Sequence, residues 1–208
     1  MNETVPQPPQ LQPPFLASQP PAQQIRPVSL VFVGPITNPA AKNLRNACCN
    51  TVTAGTKEIQ ILFSSSGGQV DEGFALYTFL LALPVKLTMH AIGKVDSIGL
   101  AVFLAGQQRF CSSDTTFLFH DFAWGAPSAI NQTRSQWKDI VRLLDKDTLR
   151  IKELLKLRTA LTDEDFNRLK LYDKTLIQDA SFAKEKGIVH EVKEASIPAG
   201  AIIANIDF

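Results

Sequence analysis

Reactive and metal-binding side chains are scarce in this chain of 208 residues, which holds three cysteines and three histidines. Cys48 and Cys49 are neighbours and Cys111 is distant, so their spacing fits neither a zinc site nor an even set of disulfides. We expect all three to be small core residues in a reducing, cytoplasmic compartment. The sequence indicates no cofactor and no metal.

Long apolar runs and an excess of charge are also missing. No apolar run reaches the roughly 20 residues of a membrane span, and the N-terminus lacks the basic and apolar regions of a secretory signal. The net charge is +1 without a basic block, so we expect neither a nucleic acid nor a membrane as partner. A hydrophobic content of 45% predicts one globular domain with a sizeable core.

Proline is concentrated at one end. Residues 1–27 contain eight of the thirteen prolines, separated mainly by polar and small residues. Such a segment cannot bury enough apolar surface to fold, which predicts a disordered arm. We expect the folded domain to span residues 28–196 and to be followed by an apolar tail without periodicity, residues 197–208.

The folded part alternates strand-like and helix-like segments. β-branched, apolar runs predict strands, and apolar residues at helical spacing predict the helices between them. The order β-α-β-α-β-α-β predicts an α/β fold with parallel strands and helical crossovers. The predicted strands cover 28–34, 58–64, 85–93, 108–112 and 115–122, and the predicted helices cover 38–52, 67–83 and 97–106.

The character of the chain changes after residue 130. An apolar stripe running from Trp137 to Leu155 predicts one helix over 131–157, roughly 35 to 40 Å long. A helix of that length either crosses the domain or projects from it and packs on another subunit. Short helices at 163–171 and 179–186 and a strand at 188–192 are predicted to follow.

Ser97 stands directly before an apolar helix, where it is either an N-terminal cap or a nucleophile. The Gly67-Gly68 pair marks a second strand-to-helix turn, which fits neither a P-loop nor a dinucleotide-binding fingerprint. The N–H groups of Gly68 and Ile98 could together hold an oxyanion.

A nucleophilic serine requires a base, and the base requires an acid. His120 closes an apolar strand, where open α/β sheets place their ligands. The acid is less certain from sequence alone. Asp121 should point to the opposite face of the strand, the direction of Asp96 cannot be read, and Asp173 is free of both objections.

Five short motifs follow one another in this part of the chain. They are the Gly pair of SSSGGQ, the S-x-G of VDSIG, the A-G of FLAG, the R-F of QRFC and the histidine that ends TTFLFH. Their order and spacing resemble the proteolytic subunits of Clp-type ATP-dependent proteases over about residues 28–192. No one motif identifies the family, but all five rarely occur by chance in this order and spacing, so the set as a whole is specific.

The resemblance implies a crotonase-like fold and a serine endopeptidase with a Ser97-His120-Asp173 triad and an oxyanion hole of Gly68 and Ile98. It also implies that residues 131–157 form a handle helix by which two heptameric rings stack. A peptide-binding strand is expected near Ala123 to Pro127, with unfolded proteins or peptides as substrates and an AAA+ unfoldase as a possible partner.

This chain departs from the family pattern at several positions. Ser66 replaces a proline, and Val95 and Asp96 replace small residues before Ser97. The acid falls on Asp173 when counted forward through the handle helix, and on Thr175 when counted backward without gaps. The arm does not resemble the family's N-terminal loops. Two alternatives stay open: an acyl-coenzyme A enzyme on the same fold, and a catalytically impaired ring subunit.

Overall fold

The computed structural model describes residues 26–123 and 133–208. The predicted alternation of strands and helices is confirmed within these residues. The strands are β1 (Val28–Val33), β2 (Glu58–Ser65), β3 (Lys86–Asp96), β4 (Gln108–Cys111), β5 (Thr116–Phe119), β6 (Leu176–Gln178), β7 (Glu191–Val192) and β8 (Ile202–Asn205). The helices are α1 (Asn38–Thr53), α2 (Val70–Ala82), α3 (Gly99–Phe103), α4 (Arg134–Arg158), α5 (Asp163–Leu169) and α6 (Ala180–Glu185).

The strands form one sheet in the order β6-β5-β3-β2-β1-β8, with β4 also paired to β3 and β7 paired to β4. β1, β2, β3, β4 and β5 pair in parallel, as the alternation with helices predicts. On the side away from β2, the long strand β3 has two partners, because residues 88–91 pair with β4 and residues 94–96 pair with β5. The sheet therefore divides along β3, and the carboxyl ends of β3 and β5 remain side by side.

Two strands were not predicted. β8 lies in the tail and pairs in parallel with β1, and the Phe208 ring then packs edge-on against Phe32 at a centroid distance of 5.0 Å. β6 pairs with β5 in the antiparallel sense, with Leu176 opposite Phe119. The second pairing brings the segment after α5 to the strand that ends at His120.

The apolar run after Ser97 is core. Every residue of α3 is buried, and the ring of Phe103 packs between those of Phe63 and Phe117 at centroid distances of 6.4 and 6.1 Å. The buried guanidinium of Arg109 donates to carbonyl oxygens at the end of this region, including that of Gly106 at 2.9 Å. α3 is therefore enclosed in the core, with Ser97 two residues before its first residue.

The predicted long helix is confirmed as α4, which begins with a capping box between Thr133 and Gln136. Its 25 residues span about 37 Å. Ile151 is fully buried against the domain, whereas Trp137 and Val141 are 49% and 54% exposed. The carboxyl-terminal half of α4 therefore packs on the domain, and the amino-terminal half presents apolar side chains outward. Residues 131 and 132 lie outside the described residues.

None of the helices within residues 26–123 and 133–208 combines the length and the apolar character that crossing a membrane requires.

Candidate active site

Ser97 occupies a sharp turn between β3 and α3. Its φ is +57°, in the left-handed region that a non-glycine residue adopts only where the surroundings enforce it. The backbone N–H of Ser97 donates to the carbonyl of Leu118 on β5 at 2.9 Å, so the turn is fixed to the neighbouring strand. Strain at a strand-to-helix turn is typical of a residue held for its chemistry.

The helix-cap interpretation of Ser97 is not supported. The N-cap position of α3 is Ile98, and no side chain caps this helix. The Ser97 hydroxyl has no hydrogen-bond partner among the described residues, although Ser97 as a whole is only 6% exposed. A buried turn therefore holds a hydroxyl that the local backbone does not use.

The Gly67-Gly68 turn lies directly against Ser97. Both glycines have positive φ, +83° and +145°, and a Cβ built on Gly67 would lie only 2.7 Å from the Ser97 Cβ. A Cβ on Gly68 would overlap the carbonyl of Ile36. Ile36 also pins the turn from the other side, because its N–H donates to Gly67 O at 2.7 Å and its carbonyl accepts from the Gln69 N–H at 2.8 Å. This packing explains why two glycines are needed here.

The two predicted oxyanion donors are available. Neither the Gly68 N–H nor the Ile98 N–H has an acceptor among residues 26–123 and 133–208, whereas the N–H groups of Gly67, Ser97 and Gln69 are all bonded. Ile98 is fully buried, where an N–H without an acceptor is rare and costly, whereas Gly68 is exposed at the cleft described below. These two N–H groups, on turns that meet at Ser97, can bind a developing negative charge.

His120 follows β5, beside the end of β3. The register pairs Asp96 with Leu118, so His120 stands two residues further along the neighbouring strand. Its Nδ1 lies 2.6 Å from the Asp121 carbonyl oxygen. A carbonyl only accepts, so Nδ1 carries the proton and Nε2 keeps the free lone pair that a general base requires. The structure shows no hydrogen bond between His120 and Ser97.

Asp173, the predicted acid, lies on a loop that packs against the His120 segment. The Tyr172 ring contacts Phe119 and Phe122, which flank His120, at centroid distances of 6.0 and 5.8 Å. The Asp173 side chain is 54% exposed and pairs with Lys152 at 3.4 Å. The structure therefore brings the loop to the site but does not join the Asp173 carboxylate to the imidazole.

The pairing of β6 with β5 favours Thr175, the residue given by the backward count, as the neighbour of His120. Leu176 pairs with Phe119 in an antiparallel ladder, so extending the ladder by one residue sets Thr175 across from His120. The backward count along the sequence gave the same residue. Thr175 is thus the position that faces the base, although its hydroxyl carries no charge.

Two further carboxylates lie near the base. One oxygen of Asp121 accepts from the Phe122 N–H at 2.9 Å, which is a local turn. Asp96 lies on the same face of the sheet as Leu118 and His120, because side chains of a strand alternate. Its carboxylate is 14% exposed and lies 3.7 Å from the Lys94 ammonium, and burial raises its pKa above the usual value.

A cleft of about 670 Å³ opens next to the Gly68 turn. Its walls are the start of α2, the segment Pro35 to Thr37, and Leu143, Leu144 and Asp147 of α4. Ala123, the first residue of the predicted peptide-binding strand, lines this cleft, and the rest of that strand lies outside the described residues. Its volume lies within the range of ligand-binding pockets.

The described residues contain no group of side chains that could bind a metal ion. Between residues 26 and 123 and between 133 and 208, no three histidine, cysteine or acidic side chains converge as metal ligands would. His90 and His190 are engaged elsewhere: His90 Nε2 bonds the Lys193 carbonyl at 3.0 Å, and His190 Nδ1 accepts from the Arg109 N–H at 3.1 Å.

Comparison with known proteins gives a consistent result. Residues 25–196 match the Clp protease family. The chain is 23% identical over 167 residues to an ATP-dependent Clp protease proteolytic subunit 3 from Rhizobium johnstonii, covering 79% of this chain and 82% of that protein. A protein of the same name from Rhizobium etli matches at 23% identity with the same coverage.

A solved structure shares the fold. A mutant of ClpP1 from Listeria monocytogenes superposes with a TM-score of 0.67 at 22% sequence identity, covering 80% of this chain and 91% of that one. The crotonase-like, ClpP-type α/β fold with a long handle helix is thereby confirmed. The family match spans most of the chain and includes both turns and the strand that ends at His120. The chain belongs to the Clp protease family and is a serine-type peptidase.

Proposed function

We propose that this chain hydrolyses peptide bonds with Ser97 as nucleophile and His120 as general base. The observation that carries the proposal is the left-handed turn at Ser97, which packs against the Gly67-Gly68 turn and leaves the Ser97 hydroxyl and the N–H groups of Gly68 and Ile98 without hydrogen bonds among the described residues. A cap or a purely structural serine would need neither feature. His120, with Nδ1 holding its proton, supplies the base from the adjacent strand.

The reaction follows from these positions. His120 Nε2 takes the proton of Ser97 Oγ as that oxygen bonds to the scissile carbonyl carbon. The Gly68 and Ile98 N–H groups hold the oxyanion that forms. As the tetrahedral intermediate collapses, the C–N bond breaks and the amine leaves with the proton from His120. Water then attacks the acyl-enzyme by the same route and frees Ser97.

Asp173 is the proposed third member. Its support is the forward count through α4 and the packing of the neighbouring Tyr172 against Phe119 and Phe122, which lie on either side of His120 in the sequence. In this role the Asp173 carboxylate leaves Lys152 and replaces the Asp121 carbonyl as acceptor of the Nδ1 proton. The charge of a carboxylate stabilises the imidazolium that forms during attack, which neither a carbonyl nor Thr175 can do equally well.

Family membership indicates a ring oligomer, and we propose that it consists of heptameric rings stacked in pairs through α4. The exposed apolar side chains of Trp137 and Val141 support this arrangement. Peptides or unfolded proteins are the proposed substrates. An AAA+ unfoldase remains a prediction from the family resemblance, which the arm at residues 1–27 does not share.

A cytoplasmic location is the remaining part of the proposal. All three cysteines are free. Cys48 and Cys111 are buried as expected, but the expectation of a core position is wrong for Cys49, which is exposed. Burial raises the pKa of Cys48 to about 12 and that of Cys111 to about 11, so neither forms a thiolate readily. Unreactive, unpaired thiols fit a reducing compartment.

The proposal is tested by peptide hydrolysis. The wild type, Ser97→Ala and His120→Ala would be assayed with fluorogenic peptides as oligomers of verified size. Because a triad acts as a unit, we expect each variant to lose nearly all activity, a fall of at least about 10⁴-fold. Hydrolysis that persists in both variants would overturn the proposal.

A further inference from the structure

The cleft beside Ser97 carries three carboxylates. Asp71 and Glu72 line one wall from the first turn of α2, and Asp147 lines the opposite wall from α4. No lysine or arginine lines the cleft within the described residues. The walls are otherwise formed by small and apolar side chains together with Thr37 and Gln69. Negative charge is therefore the main polar feature of this cavity.

Asp147 is the most constrained of the three. It is only 6% exposed, although it lies on a helix with many exposed positions. Its Oδ1 accepts from Arg150 at 3.0 Å, and no described residue donates to its Oδ2. Asp147 also lines the cleft, so its Oδ2 is available to accept a hydrogen bond from a cationic ligand there.

Glu72 and Asp71 differ in how they are compensated. Glu72 accepts from Asn38 and Arg45, and the hydrogen bond from Asn38 holds its pKa below the ordinary value, so this side chain is ionised at neutral pH. Asp71 is exposed at the cleft and has no ion pair among the described residues. Arg45 pairs with Glu72 and Arg150 pairs with Asp147. The charge of Asp71 therefore remains uncompensated in the cleft.

The cleft lies next to Gly68, and this position determines which substrate side chain enters the cleft. Gly68 lines the cleft and also supplies one of the two proposed oxyanion donors. A peptide whose scissile carbonyl oxygen binds the Gly68 N–H places the side chain of that same residue nearest the cleft wall. The residue that contributes the carbonyl is therefore the one whose side chain meets the carboxylates.

We propose that the cleft selects substrates with a lysine or arginine side chain on the residue that contributes the scissile carbonyl; this inference rests on the proposed peptidase function. The aliphatic stem of such a side chain contacts Leu143, Leu144 and Val70. Its cationic head reaches Asp147 Oδ2 and Asp71. An apolar side chain would bury the same surface but would form no hydrogen bond or ion pair with Asp147 and Asp71.

The test uses pairs of fluorogenic aminocoumarin peptides that differ by one charge. Lysine would be compared with norleucine, and arginine with citrulline, at the residue that carries the leaving group. We expect kcat/KM of the wild-type oligomer to be about tenfold or more higher for each cationic substrate, the discrimination expected of a partly buried ion pair. Equal or reversed values would overturn the proposal.

Single-residue variants test whether the carboxylates of the cleft cause the preference for cationic side chains. Asp71→Asn and Asp147→Asn should each lower the lysine-to-norleucine ratio by about threefold to tenfold. Asp145→Asn is the matched control, because Asp145 is exposed on α4 and does not line the cleft, and it should leave the ratio unchanged. A ratio that falls equally in all three variants indicates a general field of the oligomer and contradicts the proposal.

The two proposals fail in different ways. A fluorophosphonate probe reports on Ser97 without reference to the substrate side chain. Absence of labelling, with no peptide cleaved, would overturn the peptidase function itself. Labelling together with efficient cleavage of norleucine peptides would leave that function standing and overturn the preference. Labelling without cleavage of the lysine peptide would also overturn the preference.

Discussion

Gly67 and Ser97 are packed so closely that a single added methyl group on Gly67 would lie 2.7 Å from the Ser97 Cβ and 3.3 Å from its Oγ. This contact joins two strand-to-helix turns that are distant in sequence. It also brings the turn that carries the Gly68 N–H against the turn that carries Ser97 and the Ile98 N–H. The account of this protein as a peptidase depends on that contact.

Gly67→Ala should therefore abolish activity while the fold survives. The new Cβ displaces Ser97 and separates the two donors, and losing one oxyanion donor alone costs about 10²-fold to 10³-fold in rate. The positive φ also costs about 1 kcal/mol of stability. Gly55→Ala is the matched control, since Gly55 has a similar φ of +87° and no atom within 4 Å of the built Cβ. If the two variants were equally active with matched thermal midpoints, the packing argument would fail.

Asp173→Asn should lower peptide turnover by several orders of magnitude, because it keeps the size of the side chain and removes the charge that stabilises the imidazolium. Thr175→Val should have a much smaller effect. Both variants require a check of oligomer size, because sites near subunit contacts fail indirectly when assembly fails.

Lys152→Met tests the role of the Asp173 carboxylate in a second way. Lys152 pairs with Asp173 at 3.4 Å, so its removal frees the carboxylate for His120 and should keep or raise the rate. Full activity of Asp173→Asn in an intact oligomer would show that the acid lies elsewhere or that the site works as a Ser-His dyad.

Asp96→Asn should stabilise the fold and weaken catalysis. Burial raises the pKa of Asp96, so the folded protein binds a proton that the unfolded chain releases, and the ionised form destabilises the fold at neutral pH. The gain in thermal midpoint should be present at pH 7 and vanish as the pH falls below about 4. Loss of the charge on the His120 face should reduce kcat about tenfold. A midpoint difference that does not change with pH would contradict this view.

Val141→Lys should reduce the size of the particle. Val141 and Trp137 are about half exposed on α4, and a buried ammonium at a subunit contact costs several kcal/mol. Sedimentation velocity would show the shift, with circular dichroism to verify that the helix persists. Ile151 cannot serve for this purpose, since it is fully buried within the protomer and its substitution would unfold the domain. Unchanged sedimentation would exclude α4 as the contact.

The sequence predicted most of the elements because their signals are local. β1 to β5 are apolar runs bounded by glycine, proline or polar turns, and α4 has an apolar stripe with a capping box. β6 and β8 were missed because three or four residues carry no periodicity and become strands only through distant partners, Phe119 for Leu176 and Val28 for Ile202.

The site was predictable to the extent that its residues lie at element ends. Ser97, Gly68 and His120 follow strands whose order is readable, so their proximity follows from a parallel sheet. The partner of His120 was not predictable, because the forward and backward counts end two positions apart in an irregular loop, in which Lys170 and Tyr172 have left-handed backbones. The acidic wall was missed for a related reason, since Asp147 meets α2 only in three dimensions.

The central claim is that Ser97 is the nucleophile, and mass spectrometry of the fluorophosphonate-treated oligomer tests it most directly. The account predicts one phosphonyl adduct per chain, on the proteolytic fragment that contains Ser97, and none in Ser97→Ala. His120→Ala should react far more slowly because the base that activates the hydroxyl is gone. An adduct on another residue, or an unmodified Ser97 in an oligomer that still cleaves peptides, would contradict the account.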